Sequence, residues 1–331
     1  MMLSKNKLSS EIKYFCQKLG KNKLLVQGGG GNVSWKTNSK LWIKASGTSL
    51  EQAKKKNVFI PVNLKELNKS IDEGDFFKKP LVKIGKLLPS IETYMHAVIP
   101  HKIVVHLHSI DFLAILIKKN SQTLFNQKLS EYNFSFFNYI KPGGELAKNI
   151  YKKNIKFNRV NLILLQNHGI IVSSDNLKLI VSFLSKIHKK IKFNFLPKEK
   201  KIKFNKAKIT GFRFCKSKKI QNIVLNTKIF NNLKKNWAIA PDHVNYLGES
   251  PVIWKSFKNF KLPKKKFIPY LFFQNFGVYE NLSNTKNHKE QLTAYYDTMI
   301  RQDNFSLIKT LNKKQINEIM FWDIEIYRRS L

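Results

Sequence analysis

The chain has 331 residues, of which 43% are hydrophobic, and its formal net charge is +39. This length allows a large core and more than one small domain. It contains no run of about eighteen uncharged apolar residues and no apolar signal core near its start, so we expect neither a membrane span nor a secretory leader. Cys16 and Cys215 are too few for a disulfide framework or a cysteine zinc site. A reducing cytoplasm fits these features.

The positive charge comes almost entirely from lysine. Asparagine, isoleucine and phenylalanine are also abundant, which is the bias that an A+T-rich genome produces without selection for binding. Proteins that recognise nucleic acid favour arginine, because the guanidinium group pairs with phosphates and base edges. We therefore expect no specific nucleic-acid partner. The charge would still raise the arrival rate of anionic substrates.

Two glycine-containing segments are candidate anion sites. After a predicted helix over residues 4–19, Gly28–Gly31 and Asn32 could form a concave nest of N–H groups, and a plain glycine turn is the alternative. The segment lacks the spacing of a dinucleotide fingerprint and of a P-loop. A predicted strand over 41–44 leads into the second segment, residues 45–48, where an ordinary helix N-cap is the alternative. Lys44 is either an anion ligand or one more surface lysine.

Residues 90–109 carry the strongest chemical signal. Ser90 is predicted to cap a helix that ends at Pro100, with Glu92 in its first turn and His96 one turn later, as support for Glu92 or as a packed histidine. The β-branched run 103–105 then predicts a buried strand leading to His106 and His108. Side chains two residues apart on a strand leave from the same face, so these imidazoles can converge beside Glu92 on a divalent cation. The alternative is a pair of histidines that only form hydrogen bonds.

Further along, strands and helices alternate, which favours a sheet covered on both faces. Residues 161–165 predict an apolar strand that ends at His168, and site residues of α/β folds collect at strand ends. Helices are predicted over 110–118, from Pro142 onward, and over 176–190.

The lysine-rich stretch after residue 193 predicts a linker. We divide the chain into a catalytic domain over 1–195, a linker over 196–206 and a C-terminal domain over 207–331. In the last part, strands are predicted at 222–225 and 272–279, and helices at 288–302 and 313–327. Asp242 is predicted to cap a helix start there.

Five elements in order resemble the class II aldolase/adducin family, which includes fuculose- and rhamnulose-phosphate aldolases. They are Gly31–Ser34, Ala45–Thr48, Ser90–Thr93 with His96, His106–His108, and Asn167–Gly169. The resemblance covers roughly residues 8–192. Residues 241–244 and 322–328 resemble a longer subgroup that carries an extra C-terminal domain.

The resemblance implies a three-layer α/β/α domain with a smaller α+β C-terminal domain. It implies zinc or another divalent metal bound by His106, His108 and His168, with Glu92 as the acid/base residue and sometimes a fourth ligand. It also implies contacts to a substrate phosphate from Asn32, Ser46, Gly47, Thr48 and Ser90. Some family members have a second serine where this chain has Ile91, a loss for which Lys44 would compensate.

The implied activity is the retro-aldol cleavage of a sugar or sugar phosphate through a metal-stabilised enediolate, a lyase reaction of carbohydrate metabolism. The resemblance leaves open a sugar-phosphate 4-epimerase, a dehydratase or a decarboxylase on the same site. A non-catalytic adducin-like binding protein is a further alternative, although adducin-like members lack the metal histidines that this chain keeps. A homo-oligomer is implied, a tetramer being one form.

Overall fold

The computed structural model describes residues 2–80, 82, 84–85, 87–193, 196–200, 207–257, 260–263, 267–323 and 325–326. These residues form two compact units. The first consists of residues up to 116 together with 121–192, and the second of residues 117–120 together with the described residues after 192. Of the predicted linker 196–206, positions 201–206 lie outside the described residues, so the proposed boundary stays a prediction.

A seven-stranded sheet organises the described part of the first unit. Its strands are β1 Asn32–Lys36, β2 Lys40–Lys44, β3 Phe59–Asn63, β4 Ile103–Leu107, β5 Phe134–Phe137, β6 Asn161–Leu165 and β7 Gly169–Ser174. They lie in the order β3-β2-β1-β4-β7-β6-β5. The parallel pair is β5 with β6, and the other neighbours are antiparallel.

Helices cover both faces of this sheet, which confirms the predicted α/β class and its three layers. They are α1 Met2–Lys21, α2 Leu64–Asp72, α3 Thr93–Val98, α4 Ile110–Leu116, α5 Ser121–Lys128, α6 Gly144–Lys152 and α7 Leu177–Ile191. Buried side chains of α2, α3 and α6, such as Met95 and Ile150, form one core with alternate residues of the strands, such as Val104 and Ile163. Helices α4 and α7 pack on β7.

Strand β4 lies in the middle of the sheet, between β1 and β7. Its five residues are all buried, which explains why the sequence there is a continuous apolar run rather than an alternating one. His106 pairs across the sheet with Asn32 on one side and Ile171 on the other. The carboxyl end of β4 therefore delivers His106 and His108 to the part of the sheet where β1 begins.

Helix α3 begins later than the sequence predicts. It spans Thr93–Val98, and Glu92 occupies the cap position instead of the first turn. Ser90 is not the N-cap, because its carbonyl accepts from the backbone N–H of Thr93 and closes a turn that precedes the helix. Ile99 and Pro100 follow the last helical residue, as predicted.

The second unit has its own four-stranded sheet in the order β8-β11-β10-β9. Its strands are β8 Phe212–Phe214, β9 Val252–Trp254, β10 Tyr270–Phe273 and β11 Gly277–Asn281. Its helices are α8 Lys218–Leu225, α9 Thr227–Asn232, α10 Pro241–Leu247, α11 Lys286–Met299 and α12 Lys313–Met320. This is the smaller α+β part that the sequence predicts. In the part of the chain that the structure describes, none of the helices is both long and apolar enough to cross a membrane.

Several sequence predictions in this unit are wrong. Residues 222–225 belong to helix α8, because Ile220, Ile223 and Val224 are buried at helical spacing despite their β-branched side chains. The predicted strand 272–279 is a hairpin, since Asn275 adopts a φ of 60° between β10 and β11. Helix α10 is capped by Ala240 rather than by Asp242. Helix α12 ends at Met320, helical residues resume at Asp323, and positions 324 and 327–331 lie outside the described residues.

Candidate active site

Three buried imidazoles from two separate segments meet at the end of β4. The Nε2 atom of His106 lies 3.0 Å from Nε2 of His108 and 3.2 Å from Nε2 of His168. One ligand atom from each of the three lies within 4.8 Å of the others. Their exposed fractions are 0%, 8% and 5%. The structure therefore brings together the three histidines that the resemblance singles out.

His168 reaches the cluster through the tight turn between β6 and β7. Asn167 adopts a φ of 55°, a conformation that asparagine tolerates better than most residues. Gly169 then passes so close to β4 that a Cβ atom there would collide with the carbonyl oxygen of Leu107. The turn residues thus set the distance between His168 and the pair on β4.

The protonation of His106 is set by its backbone contact. Its Nδ1 lies 3.0 Å from the carbonyl oxygen of Ile170, and a carbonyl only accepts, so Nδ1 carries the hydrogen. The lone pair of neutral His106 is then on Nε2, which faces the other two rings. An outer hydrogen bond of this kind is typical of a histidine that binds a metal.

Glu92 lies beside this cluster. Its Oε2 is 3.6 Å from Nε2 of His106, and its Oε1 is 3.7 Å from Nε2 of His168. Burial raises the pKa of the carboxyl group, but the positive charge of the three imidazoles in their protonated form, together with a hydrogen bond from Asn32, outweighs this effect and lowers it below the usual range. A cation bound by neutral histidines would act in the same direction, so positive charge at the cluster keeps the nearly buried Glu92 ionised.

Asn32 holds Glu92 in this position. Its Nδ2 donates to Oε2 of Glu92 at 2.7 Å and to Oγ of Ser90 at 3.3 Å. On its other side, its Oδ1 contacts Nε2 of His96. His96 is completely buried and is linked to Glu92 through Asn32, so both predicted roles, support for Glu92 and a packed histidine, stay predictions.

The two glycine segments lie against each other. A Cβ atom at Gly29 would be 3.1 Å from the carbonyl oxygen of Gly47. Lys44, which is 2% exposed, donates from Nζ to the carbonyl oxygens of Gly29 at 2.9 Å and Thr48 at 2.6 Å. The alternative that Lys44 is a surface lysine is wrong. Its direct contact with an anion stays a prediction.

The other predicted substrate contacts lie along neighbouring backbone. The N–H of Ser46 donates to the carbonyl of Leu88, and Ala45 pairs with Pro89, so residues 45–46 run beside the approach to Ser90. Thr48 donates its hydroxyl to the carbonyl of Ala45. The expected helix after this loop is a single turn, Leu50–Gln52, capped by Ser49. Such a short turn offers no helix dipole, so backbone N–H groups would have to bind an anion.

The donor set fits a divalent cation. Nε2 of neutral His106 presents a lone pair, and Nε2 of His108 and Nε2 of His168 each lie within 3.2 Å of it, so all three nitrogens could bind one cation. In addition, Oε1 of Glu92 is buried and has no hydrogen-bond partner among the described residues. Three imidazoles with an adjacent carboxylate are a typical zinc donor set.

The sequence does not reveal two parts of this site. One is the carbonyl of Ile170, which fixes the orientation of His106. The other is Ser34, whose Oγ lies 2.7 Å from Nδ1 of His96. The alternation of Asn32 and Ser34 on one face of β1 is the signal that would have pointed to the serine.

Comparison with known protein families identifies the first unit. The family model described as the class II aldolase and adducin N-terminal domain matches residues 10–190. The chain belongs to the class II aldolase/adducin family. The match confirms the resemblance that the motifs around Asn32, His106 and His168 carry. Members of this family that act as aldolases use a divalent metal, and the buried triad of this chain is able to bind one.

Individual relatives match about half of the chain. The uncharacterized oxidoreductase YuxG of Bacillus subtilis is 28% identical over 178 residues, 49% of this chain. The chain spans only 26% of that relative's length. An N-terminal class II aldolase domain from Thermoplasma acidophilum is 27% identical, with a TM-score of 0.46, over 55% of this chain and 90% of that one. A sugar-phosphate aldolase from Thermotoga maritima is 16% identical, with a TM-score of 0.43, over 57% and 93% respectively.

Proposed function

We propose that this chain is a divalent-metal-dependent carbon–carbon lyase that cleaves a sugar or sugar phosphate by a retro-aldol reaction. The observation that supports this proposal most is the convergence of the Nε2 atoms of His106, His108 and His168 beside an ionised Glu92. A structural histidine cluster would not require a buried carboxylate oxygen without a hydrogen-bond partner among the described residues.

The proposal gives each group a role. His106, His108 and His168 would hold the metal, with zinc as the expected ion. A divalent cation there supplies positive charge, which makes the enediolate of an aldol cleavage tolerable near neutral pH. Glu92 moves a proton to or from the reacting carbon or hydroxyl. Its low pKa leaves it ionised, which is the form that accepts a proton.

The glycine segments would bind the anionic end of the substrate. Their backbone N–H groups, the amide of Asn32 and the hydroxyl groups of Ser46, Thr48 and Ser90 are the proposed contacts. Lys44 adds a buried positive charge at the junction of the two segments. A substrate phosphate would gain from this charge even without direct contact, because screening is weak in a buried site.

We also propose a homo-oligomer in the cytoplasm. Both cysteines, Cys16 and Cys215, are buried and unpaired, which suits a reducing compartment. Light scattering tests the assembly, and a monomer at all concentrations would contradict it.

Product analysis tests the reaction. The zinc-loaded protein is incubated with a panel of ketose 1-phosphates and free ketoses, beside His168→Ala and a control, His101→Ala, at a buried histidine outside the cluster. We expect a three-carbon product from the wild type and the control, and none from His168→Ala. A rearranged pentose without cleavage would show an epimerase instead. No reaction with any member of the panel would contradict the lyase.

A further inference from the structure

A line of hydrogen-bonded side chains runs from β1 to Glu92 through His96. Oγ of Ser34 lies 2.7 Å from Nδ1 of His96. Nε2 of His96 contacts Oδ1 of Asn32, whose Nδ2 donates to Glu92 at 2.7 Å. Ser34 and His96 are completely buried, and Asn32 and Glu92 are each 4% exposed. Water therefore does not compete for these contacts.

The chemistry of each group determines which atom donates and which accepts in each hydrogen bond of this line. Asn32 donates from Nδ2 to Oε2 of Glu92, so its side-chain oxygen faces His96. That oxygen only accepts, so neutral His96 carries its hydrogen on Nε2. Nδ1 of His96 then accepts from the hydroxyl of Ser34. Every donor in the line thus has an acceptor.

We propose that His96 is a positioning residue for Glu92, acting through the side-chain amide of Asn32. This inference rests on the proposed function, because it concerns the residue to which that function assigns proton transfer. If the amide rotated by half a turn, its oxygen would face the carboxylate and repel it. The Nε2–H of His96 opposes this rotation because it holds the oxygen on the opposite side.

A second serine–histidine pair in the same unit provides a matched control. Nδ1 of His101 lies 2.9 Å from Oγ of Ser173, as in the pair of Ser34 and His96. Nε2 of His101, however, lies 2.7 Å from the backbone carbonyl oxygen of Asn158. His101 is therefore a buried histidine with the same kind of partner but without an amide that leads to Glu92.

Nitrogen NMR of the metal-free protein tests which ring nitrogen of His96 carries the hydrogen. In protein labelled with ¹⁵N-histidine, the His96 signals are assigned as those that disappear in His96→Gln. We expect neutral His96 near pH 7 with its hydrogen on Nε2 and a bare Nδ1. A hydrogen on Nδ1, or a charged ring, would overturn the proposal whether or not the protein is an enzyme.

Cobalt binding tests the consequence for Glu92. Wild type, His96→Leu, His96→Gln, His101→Leu and His101→Gln are loaded with Co²⁺, and their visible absorption is compared. We expect His96→Leu to shift the bands, because the carboxylate next to the imidazoles is no longer held. His96→Gln should restore them in large part, since its amide can donate to Asn32. Both His101 variants should match the wild type.

The outcomes separate the two proposals. Wild-type bands in His96→Leu, or an equal shift in His101→Leu, would overturn the role of His96. If the wild type binds no cobalt, the proposed function fails, and the NMR measurement alone decides on His96. If His96→Leu does not fold, the NMR measurement on the wild type decides on His96.

Discussion

His106 and His168 place their Nε2 atoms 3.2 Å apart, although 62 residues separate them in the chain. The contact depends on two antiparallel neighbours in the sheet, since His106 belongs to β4 and His168 to the turn that leads into β7. Glu92 lies within 3.7 Å of both rings. The pairing of strands in the sheet therefore brings the three histidines together. Changes to the turn before β7 should weaken metal binding as strongly as changes to the histidines themselves.

Gly169→Ala tests that dependence. A methyl group at 169 would collide with the carbonyl oxygen of Leu107 on β4, so the turn must move away and carry His168 with it. We expect the variant to lose most of its bound metal. Gly74→Ala is the control, because Gly74 has a φ of 75° but a Cβ atom there would meet no heavy atom within 4 Å, so the variant carries backbone strain without a collision. Equal metal content in the two variants would contradict this explanation.

Glu92→Gln separates chemistry from metal binding. Glutamine keeps the shape but cannot accept the proton, so turnover should fall by about 10²–10⁴-fold. The metal should remain, since three imidazoles are unchanged. The rate of product formation and the metal content are measured together, with the exposed Glu11→Gln as the control. Unchanged turnover would remove Glu92 from the mechanism.

Lys44→Met tests whether the amino group of Lys44 stabilises the two glycine segments. The variant leaves the carbonyl oxygens of Gly29 and Thr48 without this buried donor, and an unsatisfied buried group costs about 1–3 kcal/mol. We expect the free energy of unfolding in urea to fall by about that amount. Lys69→Met, at a side chain that is 78% exposed, should change it little. Identical unfolding curves for the two variants would show that Lys44 does not stabilise the segments.

Because His243 is buried, we expect the protein to lose stability in acid. Burial lowers the pKa of this histidine from 6.5 to about 3, and its ring lies between Trp237 at 4.8 Å and Tyr295 at 4.7 Å. Between these pH values the unfolded chain binds a proton that the folded chain does not. Stability therefore falls as the pH drops below about 6.5, by about 2 kcal/mol at pH 5 from this residue alone.

The measurement for His243 is urea unfolding at pH 7.5 and pH 5. His243→Phe keeps an aromatic ring of similar size but cannot be protonated. We expect the variant to lose less stability on acidification than the wild type, by about 2 kcal/mol. The same pH dependence in both proteins would show that His243 is not the cause.

The sequence predicts much of the first unit, because its local signals agree with its tertiary structure. The apolar run before His106 is a strand, and the two-residue spacing places His108 beside it. That His168 would join them follows from the family resemblance and not from local pattern. Pairing between β6 and β7 is a long-range contact, which a single sequence does not encode in any short window.

The sequence does not predict those features whose local structure or burial depends on tertiary contacts. Nothing local distinguishes Lys44 from the many exposed lysines, because its burial depends on the approach of two loops. The side chains of residues 222–225 predict a strand. The structure has a helix there, because burial of one face favours the helical spacing. The start of α3 shifts to Thr93 because the preceding turn uses the carbonyl of Ser90.

Metal content distinguishes a metal site at His106, His108 and His168 from histidines that only form hydrogen bonds. The wild type, His106→Ala, His168→Ala and the control His101→Ala are purified identically, loaded with zinc, freed of excess metal and measured by elemental analysis. We expect about one zinc ion per chain in the wild type and the control, and little or none in the two cluster variants. Equal zinc in all four proteins, or none in the wild type, would contradict the metal site.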